Sequence, residues 1–178
     1  MKNTKMVAAK AATAFSLQTN QPTPATFQPV SVYDTLPTNR LSEHFALREF
    51  IISAAAVRRS IDNTPPESAI SNLTALCLNV LEPLRQRFGV IRVTSGYRCK
   101  EVNALVGGSK TSQHVSGEAA DLHIGSMEVG RKMYDYIRTQ LTFDQLIFER
   151  NRKTGARWLH VSYKRNGKNR MQAFEMTL

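Results

Sequence analysis

One stretch of sequence decides both the fold and the candidate site: SQHVSGEAAD, residues 112–121. It places His114 and Asp121 seven residues apart, with small residues between them. A third candidate ligand, His160, lies in WLHV, residues 158–161, which is typical of a strand. Two imidazoles and one carboxylate are a common ligand set for a catalytic zinc ion, because they leave one coordination position for water. The stretch therefore predicts a metal site.

The residues around these three side chains favour the same interpretation. Gly117 and the alanines before Asp121 let the backbone fold back, so that His114 and Asp121 can reach one ion. Strand alternation places His160 and Trp158 on one face. The alternative is that His114 is a surface loop residue and His160 a strand histidine with satisfied hydrogen bonds. Either histidine alone favours that alternative, whereas the three residues together favour zinc.

Helices are predicted upstream of this stretch. Apolar spacing over residues 45–57 (FALREFIISAAAV) indicates one helix. A longer helix begins near Pro65 and continues to residue 88, with apolar residues recurring at three and four positions. Pro83 should kink that helix, and Gly89 should end it.

Strands dominate the second half of the chain. We predict strands over residues 90–94, 119–124, 143–148, 157–163 and 171–176, and helices over residues 99–106 and 127–141. RNRKTG at residues 150–155 and Asn166-Gly167 predict two hairpin turns. Helices first and mostly antiparallel strands afterwards indicate the α+β class.

Composition sets the outer limits. The 178 residues predict one domain, residues 41–178, after an arm at residues 1–40 that is flexible or ordered by a partner. The net charge of +10 favours anionic partners such as cell-wall polymers, and the alternative is a basic surface that is merely solvated. We do not expect nucleic acid as a partner, because the C-terminal basic cluster has no interleaved aromatic residues. No apolar run is long enough to span a membrane, and Lys10 interrupts the only stretch that could form a cleaved signal peptide.

The run SQHVSGEAAD, followed by WLH at residues 158–160, resembles the zinc D-Ala-D-Ala carboxypeptidase and L-alanyl-D-glutamate endopeptidase family. SGYR at residues 95–98 resembles another element of that family. The resemblance extends from about residue 45 to residue 163, and several motifs in the right order make it specific. It implies the fold shared with hedgehog signalling domains, and a zinc ion held by His114, Asp121 and His160.

The resemblance also implies roles for other residues. Arg98 would hold the carbonyl or carboxylate of the substrate. From their chemistry alone, Ser112 and Gln113 would add hydrogen bonds either to the substrate or to the loop itself. Many relatives carry a carboxylate three residues before the last histidine, where this chain has Arg157, which cannot accept a proton. We expect Glu149 to be the general base instead, because the hairpin at residues 150–156 would return the chain beside it. The alternative is that Glu149 only pairs with a neighbouring arginine.

These expectations define two functional hypotheses. The first is a zinc peptidase that cleaves peptidoglycan stem peptides, in a phage lysin, a virion-associated lytic protein or a wall-remodelling enzyme of a cell. It would reside in a phage virion or the host cytoplasm and act on the cell wall, and the periplasm is a further possible location. The second is a non-catalytic zinc-binding module of the same fold, which residues 1–40 would dock onto an assembly partner.

Overall fold

The computed structural model describes residues 40–178 and confirms the α+β class. The predicted N-terminal arm lies outside the described residues, apart from Arg40. Within the described part of the chain, no helix is long and apolar enough to cross a membrane. The helices are α1 (Leu47–Ile51), α2 (Ala54–Arg59), α3 (Glu67–Leu76), α4 (Glu82–Phe88), α5 (Lys100–Leu105) and α6 (Met127–Gln140). The strands are β1 (Val93–Ser95), β2 (Ala119–His123), β3 (Gln145–Arg150), β4 (Arg157–Ser162) and β5 (Gln172–Thr177).

The prediction of one helix over residues 45–57 is wrong, because α1 and α2 are separate. Ile52 and Ser53 between them are extended. Two hydrogen bonds stabilise this break: Asn63 Nδ2 donates to the Ile51 carbonyl at 2.8 Å, and the Ala56 amide donates to Ser53 Oγ at 3.3 Å. The Ser53 side chain thus caps α2, which a continuous helix would not require.

The long predicted helix is present as α3 and α4, joined by a π-helical turn at Cys77–Leu81. Pro83 lies in the first turn of α4 and has no N–H to donate to the carbonyl four residues earlier. The amide of Glu82 donates instead to the Cys77 carbonyl, five residues back. The predicted disturbance at Pro83 therefore takes the form of a π turn. Gly89 ends α4 with φ +81°, as the sequence predicts.

The sheet has the strand order β1-β2-β4-β3-β5. Adjacent strands are antiparallel, except that β5 runs parallel to β3. The predicted second hairpin, which would pair the last strand with β4, is therefore wrong. Strand β4 already has β2 on one side and β3 on the other, so the chain after it must cross to the free edge of β3.

The two faces of the sheet have different environments. Leu122, Leu159 and Phe148 belong to the apolar core shared with the helices. The alternate residues on the same strands point to the opposite face. There, Asp121 of β2 lies opposite His160 of β4, which lies opposite Ile147 of β3. The register thus brings candidate ligands from separate strands onto one face.

Candidate metal centre

The loop that carries His114 is held against α3 by a close backbone approach. Gly117 has φ +72°, and a Cβ atom at this position would lie 2.5 Å from the Ala69 carbonyl oxygen. Only glycine fits that conformation and that contact without strain. The Asn72 side chain donates to the Ser116 carbonyl at 2.9 Å, which is a second link between α3 and the loop.

Two hydrogen bonds connect the SGYR element to the histidine loop. The Arg98 amide donates to the His114 carbonyl at 3.1 Å, and His114 Nδ1 lies 2.6 Å from the Gly96 carbonyl oxygen. Because a carbonyl only accepts, Nδ1 must carry the proton, and the lone pair of Nε2 points to the other side of the ring. Such a bond fixes the tautomer and orientation that a metal-ligating histidine needs.

Three buried side chains meet around one point and could hold a metal ion. His114 Nε2 lies 3.3 Å from both Asp121 Oδ1 and His160 Nδ1, and His160 Nδ1 lies 3.0 Å from Asp121 Oδ1. Ligand atoms bound tetrahedrally to zinc at its usual distances are about 3.3 Å apart. The triangle of donor atoms therefore fits a tetrahedral zinc ion, for which these three residues would supply three ligands and water the fourth.

The protonation states of this cluster also suit a cation. Burial lowers the pKa of His114, which favours the neutral imidazole that binds metals. Burial raises the pKa of Asp121, but the interactions with the two neighbouring imidazoles outweigh this effect and hold the pKa well below its usual value. The cluster thus combines a carboxylate with an imidazole lone pair.

Arg98 lies beside the cluster. Its Nε donates to Ser95 Oγ at 2.9 Å, and one terminal nitrogen donates to Asp121 Oδ2 at 2.8 Å. The second carboxylate oxygen of Asp121 is therefore held by a guanidinium while Oδ1 faces the histidines. Arg98 also lines the adjoining cleft.

The cluster opens into a cleft of about 870 Å³. Its walls include the sequence-predicted residues Ser112 and Gln113 from the histidine loop, and Glu149 from β3. Glu149 is buried on the same face as His160, two residue pairs further along the two strands, where it lies opposite Trp158. Burial raises the pKa of Glu149, and the charge of Asp121 raises it further. By strand alternation, Arg157 points to the opposite face.

Residues 43–162 match the family model described as Peptidase M15. The chain belongs to the peptidase M15 family. The match covers most of the sequence and includes the loop, the SGYR element and all three candidate ligands. The match confirms that the chain resembles the M15 metallopeptidases as a family. Membership of this family implies a peptide substrate. No curated protein matches the chain.

The structure adds contributors to this M15 site that sequence reasoning missed. Ser95 orients Arg98, and the Gly96 carbonyl orients His114, although only the arginine of SGYR was assigned a role. Asp144, which is fully buried, holds Arg170 and Lys164 at one end of the cleft. The sequence does contain an indication of this ion pair: Asp144 lies inside the apolar segment FDQLIF, and a buried charge requires a partner.

Proposed function

We propose that this M15 peptidase is a zinc metallopeptidase that hydrolyses peptide bonds in peptidoglycan stem peptides. The observation that carries the proposal is the triangle of His114, Asp121 and His160 donor atoms, 3.0–3.3 Å apart at the floor of a cleft. These three residues would hold the zinc ion. When bound, zinc supplies a Lewis acid that makes water nucleophilic at neutral pH.

Glu149 is the proposed general base and acid. Its carboxylate faces the cleft and can accept a proton from water and then donate it to the leaving amine. The raised pKa of Glu149 supports this role, because a carboxyl group with a pKa closer to neutrality exchanges protons more readily in both directions.

Arg98 is the proposed electrostatic partner of the substrate. Nε is held by Ser95 and one terminal nitrogen by Asp121, so the guanidinium is oriented before the substrate arrives. The remaining N–H groups can donate to the carbonyl oxygen or to a carboxylate of the peptide, and stabilise charge that develops there. Ser112 and Gln113 would bind the peptide from the loop side of the cleft.

Finer aspects of the proposal rest on the sequence. The stem peptide would be cut as a D-Ala-D-Ala carboxypeptidase or an L-alanyl-D-glutamate endopeptidase does, on a hedgehog/DD-peptidase fold. A phage lysin or a virion-associated lytic protein fits the small basic chain, which would act on the cell wall from the virion or the host cytoplasm, or within the periplasm. Residues 1–40 would then contact an assembly partner.

The test combines product analysis with metal binding. Mass spectrometry of purified peptidoglycan should show cleaved stem peptides with the zinc-loaded protein and none after chelation. Glu149→Gln should keep the zinc-induced rise in Tm and lose at least about 100-fold in rate, because only proton transfer is removed.

Glu128→Gln is the matched control, because this glutamate is exposed on α6 and forms a solvent-exposed pair with Lys132. Its activity should equal that of the wild type. Wild-type protein that binds zinc but releases no peptide would contradict the proposal. It would favour the non-catalytic zinc-binding module.

A further inference from the structure

A charged cluster lies at the end of the cleft away from Glu149. Asp144 is 0% exposed. Its carboxylate accepts hydrogen bonds from the Arg170 amide at 3.0 Å and from Arg170 Nε at 3.0 and 3.1 Å, and one terminal nitrogen of Arg170 completes the pair. Lys164 Nζ lies 3.5 Å from Asp144 Oδ1. Two cations therefore share one buried carboxylate.

The contacts with Asp144 use only one edge of the Arg170 guanidinium. Nε and one N–H of a terminal nitrogen face Asp144, and that terminal nitrogen also lies 3.5 Å from Gln113 Oε1. Among the described residues, the other terminal nitrogen has no hydrogen-bond partner. Because a guanidinium has five donors, its second edge can still bind another carboxylate: the terminal nitrogen without a partner donates directly, and the N–H that faces Gln113 is only weakly bonded at 3.5 Å. The Arg170 side chain is 46% exposed and lines the cleft.

Lys164 is held in place by the turn that follows β4. Its amide donates to Asn169 Oδ1 at 2.7 Å, and its carbonyl accepts from Asn169 Nδ2 and from the Gly167 amide, both at 3.1 Å. Gly167 has φ +78°, which suits this tight turn. The Lys164 side chain is 30% exposed and lines the same end of the cleft.

The distance from the metal centre sets the length of peptide involved. Ile147 lies opposite His160, and Gln145 and Asp144 precede Ile147 by two and three residues, in the direction of the cluster. At the rise of a strand, this corresponds to about 7–10 Å. An extended peptide covers that distance with two to three residues.

We propose that Arg170 and Lys164 form a carboxylate subsite that selects peptides with a free carboxylate two to three residues from the bond that is cut. This inference rests on the proposed peptidase function and specifies its substrate class as an acidic peptide. The buried Asp144 orients Arg170 and neutralises only one of the two positive charges. The excess positive charge attracts the substrate carboxylate, and the second edge of the guanidinium binds it.

The experiment uses pairs of peptides that differ only in a glutamate or a glutamine, placed one to four residues from the cleaved bond on either side. Each pair is measured for kcat/KM and for binding, with Trp158 fluorescence as the binding signal. Trp158 is the only tryptophan in the chain, and it lines the cleft. The wild type should prefer glutamate about tenfold at the position two or three residues away, as expected for a partly exposed charged hydrogen bond.

Arg170→Lys should remove most of this preference, because it keeps the charge beside Asp144 but loses the second edge. Lys164→Gln should reduce the preference about threefold. Because this variant leaves the Arg170–Asp144 pair intact, it still tests the subsite if Arg170→Lys fails to fold. Lys168→Gln is the matched control, since Lys168 is exposed in the same turn and does not line the cleft. This control should keep the full preference.

Three outcomes separate the two proposals. Cleavage with equal use of glutamate and glutamine at every position would overturn the subsite and leave the peptidase function intact. Tighter binding of one glutamate peptide without any cleavage would support the subsite and contradict the peptidase function. A loss of preference in Lys168→Gln as large as in Arg170→Lys would overturn the subsite, because it would indicate only a diffuse effect of net charge.

Discussion

Replacement of Asp144 by asparagine tests the charged cluster through stability. The change keeps the side-chain shape but removes the charge and turns one acceptor into a donor that faces Arg170. Breaking a buried ion pair costs about 3–5 kcal/mol. Both cations are partly exposed, 46% for Arg170 and 30% for Lys164, and can regain water, so we expect a loss near the low end, about 3 kcal/mol. At about 3–5 °C per kcal/mol for a domain of this size, Tm should fall by roughly 10 °C.

The effect of Asp144→Asn should depend on pH. Burial raises the pKa of Asp144, but hydrogen bonds and charge from Arg170 lower it more, so it lies below its unfolded value of about 3.9. A carboxyl group with a depressed pKa contributes its stability above the unfolded pKa and loses it as pH falls through the folded pKa. The difference in Tm between wild type and variant should therefore be complete at pH 7 and shrink below about pH 4.

Scanning calorimetry between pH 7 and pH 2.5 measures both quantities. Glu175→Gln is the control, because Glu175 forms an exposed pair with Arg131 that should contribute less than about 1 kcal/mol. A Tm loss for Asp144→Asn no larger than that of the control would refute the reasoning. So would a loss that stays constant to pH 2.5, because the interaction would then not depend on an ionised carboxylate.

Two further predictions concern the metal centre. Zinc at 100 times its Kd should stabilise the wild type by about 2.7 kcal/mol, and His160→Ala should abolish this gain in thermal unfolding; an equal gain in the variant would place the ion elsewhere. Gly117→Ala should cost at least about 1–2 kcal/mol for the left-handed backbone, and more for the Cβ contact with Ala69. It should also weaken zinc binding measured by calorimetric titration, since His114 lies in the same loop, and unchanged affinity would contradict that coupling.

Local pattern was sufficient to predict most elements of the fold. Periods of two and three to four residues are direct consequences of strand and helix geometry, and α6 and β2 lie within a residue of the predicted bounds. The position of β5 could not be predicted in this way, because Asn166-Gly167 specifies a turn but not whether β4 has a free edge. Likewise, the break between α1 and α2 depends on Asn63, which contacts Ile51 only in the folded chain.

The candidate metal ligands could be predicted from the sequence, whereas the contacts that orient them could not. His114 and Asp121 are close in sequence and His160 is in a recognisable strand segment, so spacing was enough to group them. The contacts that orient them are backbone or distant ones, such as the Gly96 carbonyl bonded to His114. A carbonyl has no sequence signature, because every residue has one. Asp144 and Arg170 are 26 residues apart in the sequence. Their pairing could not be predicted because it depends on how the chain crosses from β4 to β5.

Arg157, three residues before the last histidine, lies on the opposite face of the sheet from the candidate metal ligands. Residues 119–123 of β2 pair with residues 158–162 of β4 without a bulge, so alternation is unbroken up to His160. A residue at position 157 therefore points away from the face that carries His160, whatever its chemistry. Position 149 lies on the ligand face, and a carboxylate there is buried beside the cleft. An arginine at position 157 therefore does not argue against the M15 peptidase assignment. Peptide release by the zinc-loaded wild type decides between the enzyme and the non-catalytic module, and Glu149→Gln then tests whether position 149 supplies the base.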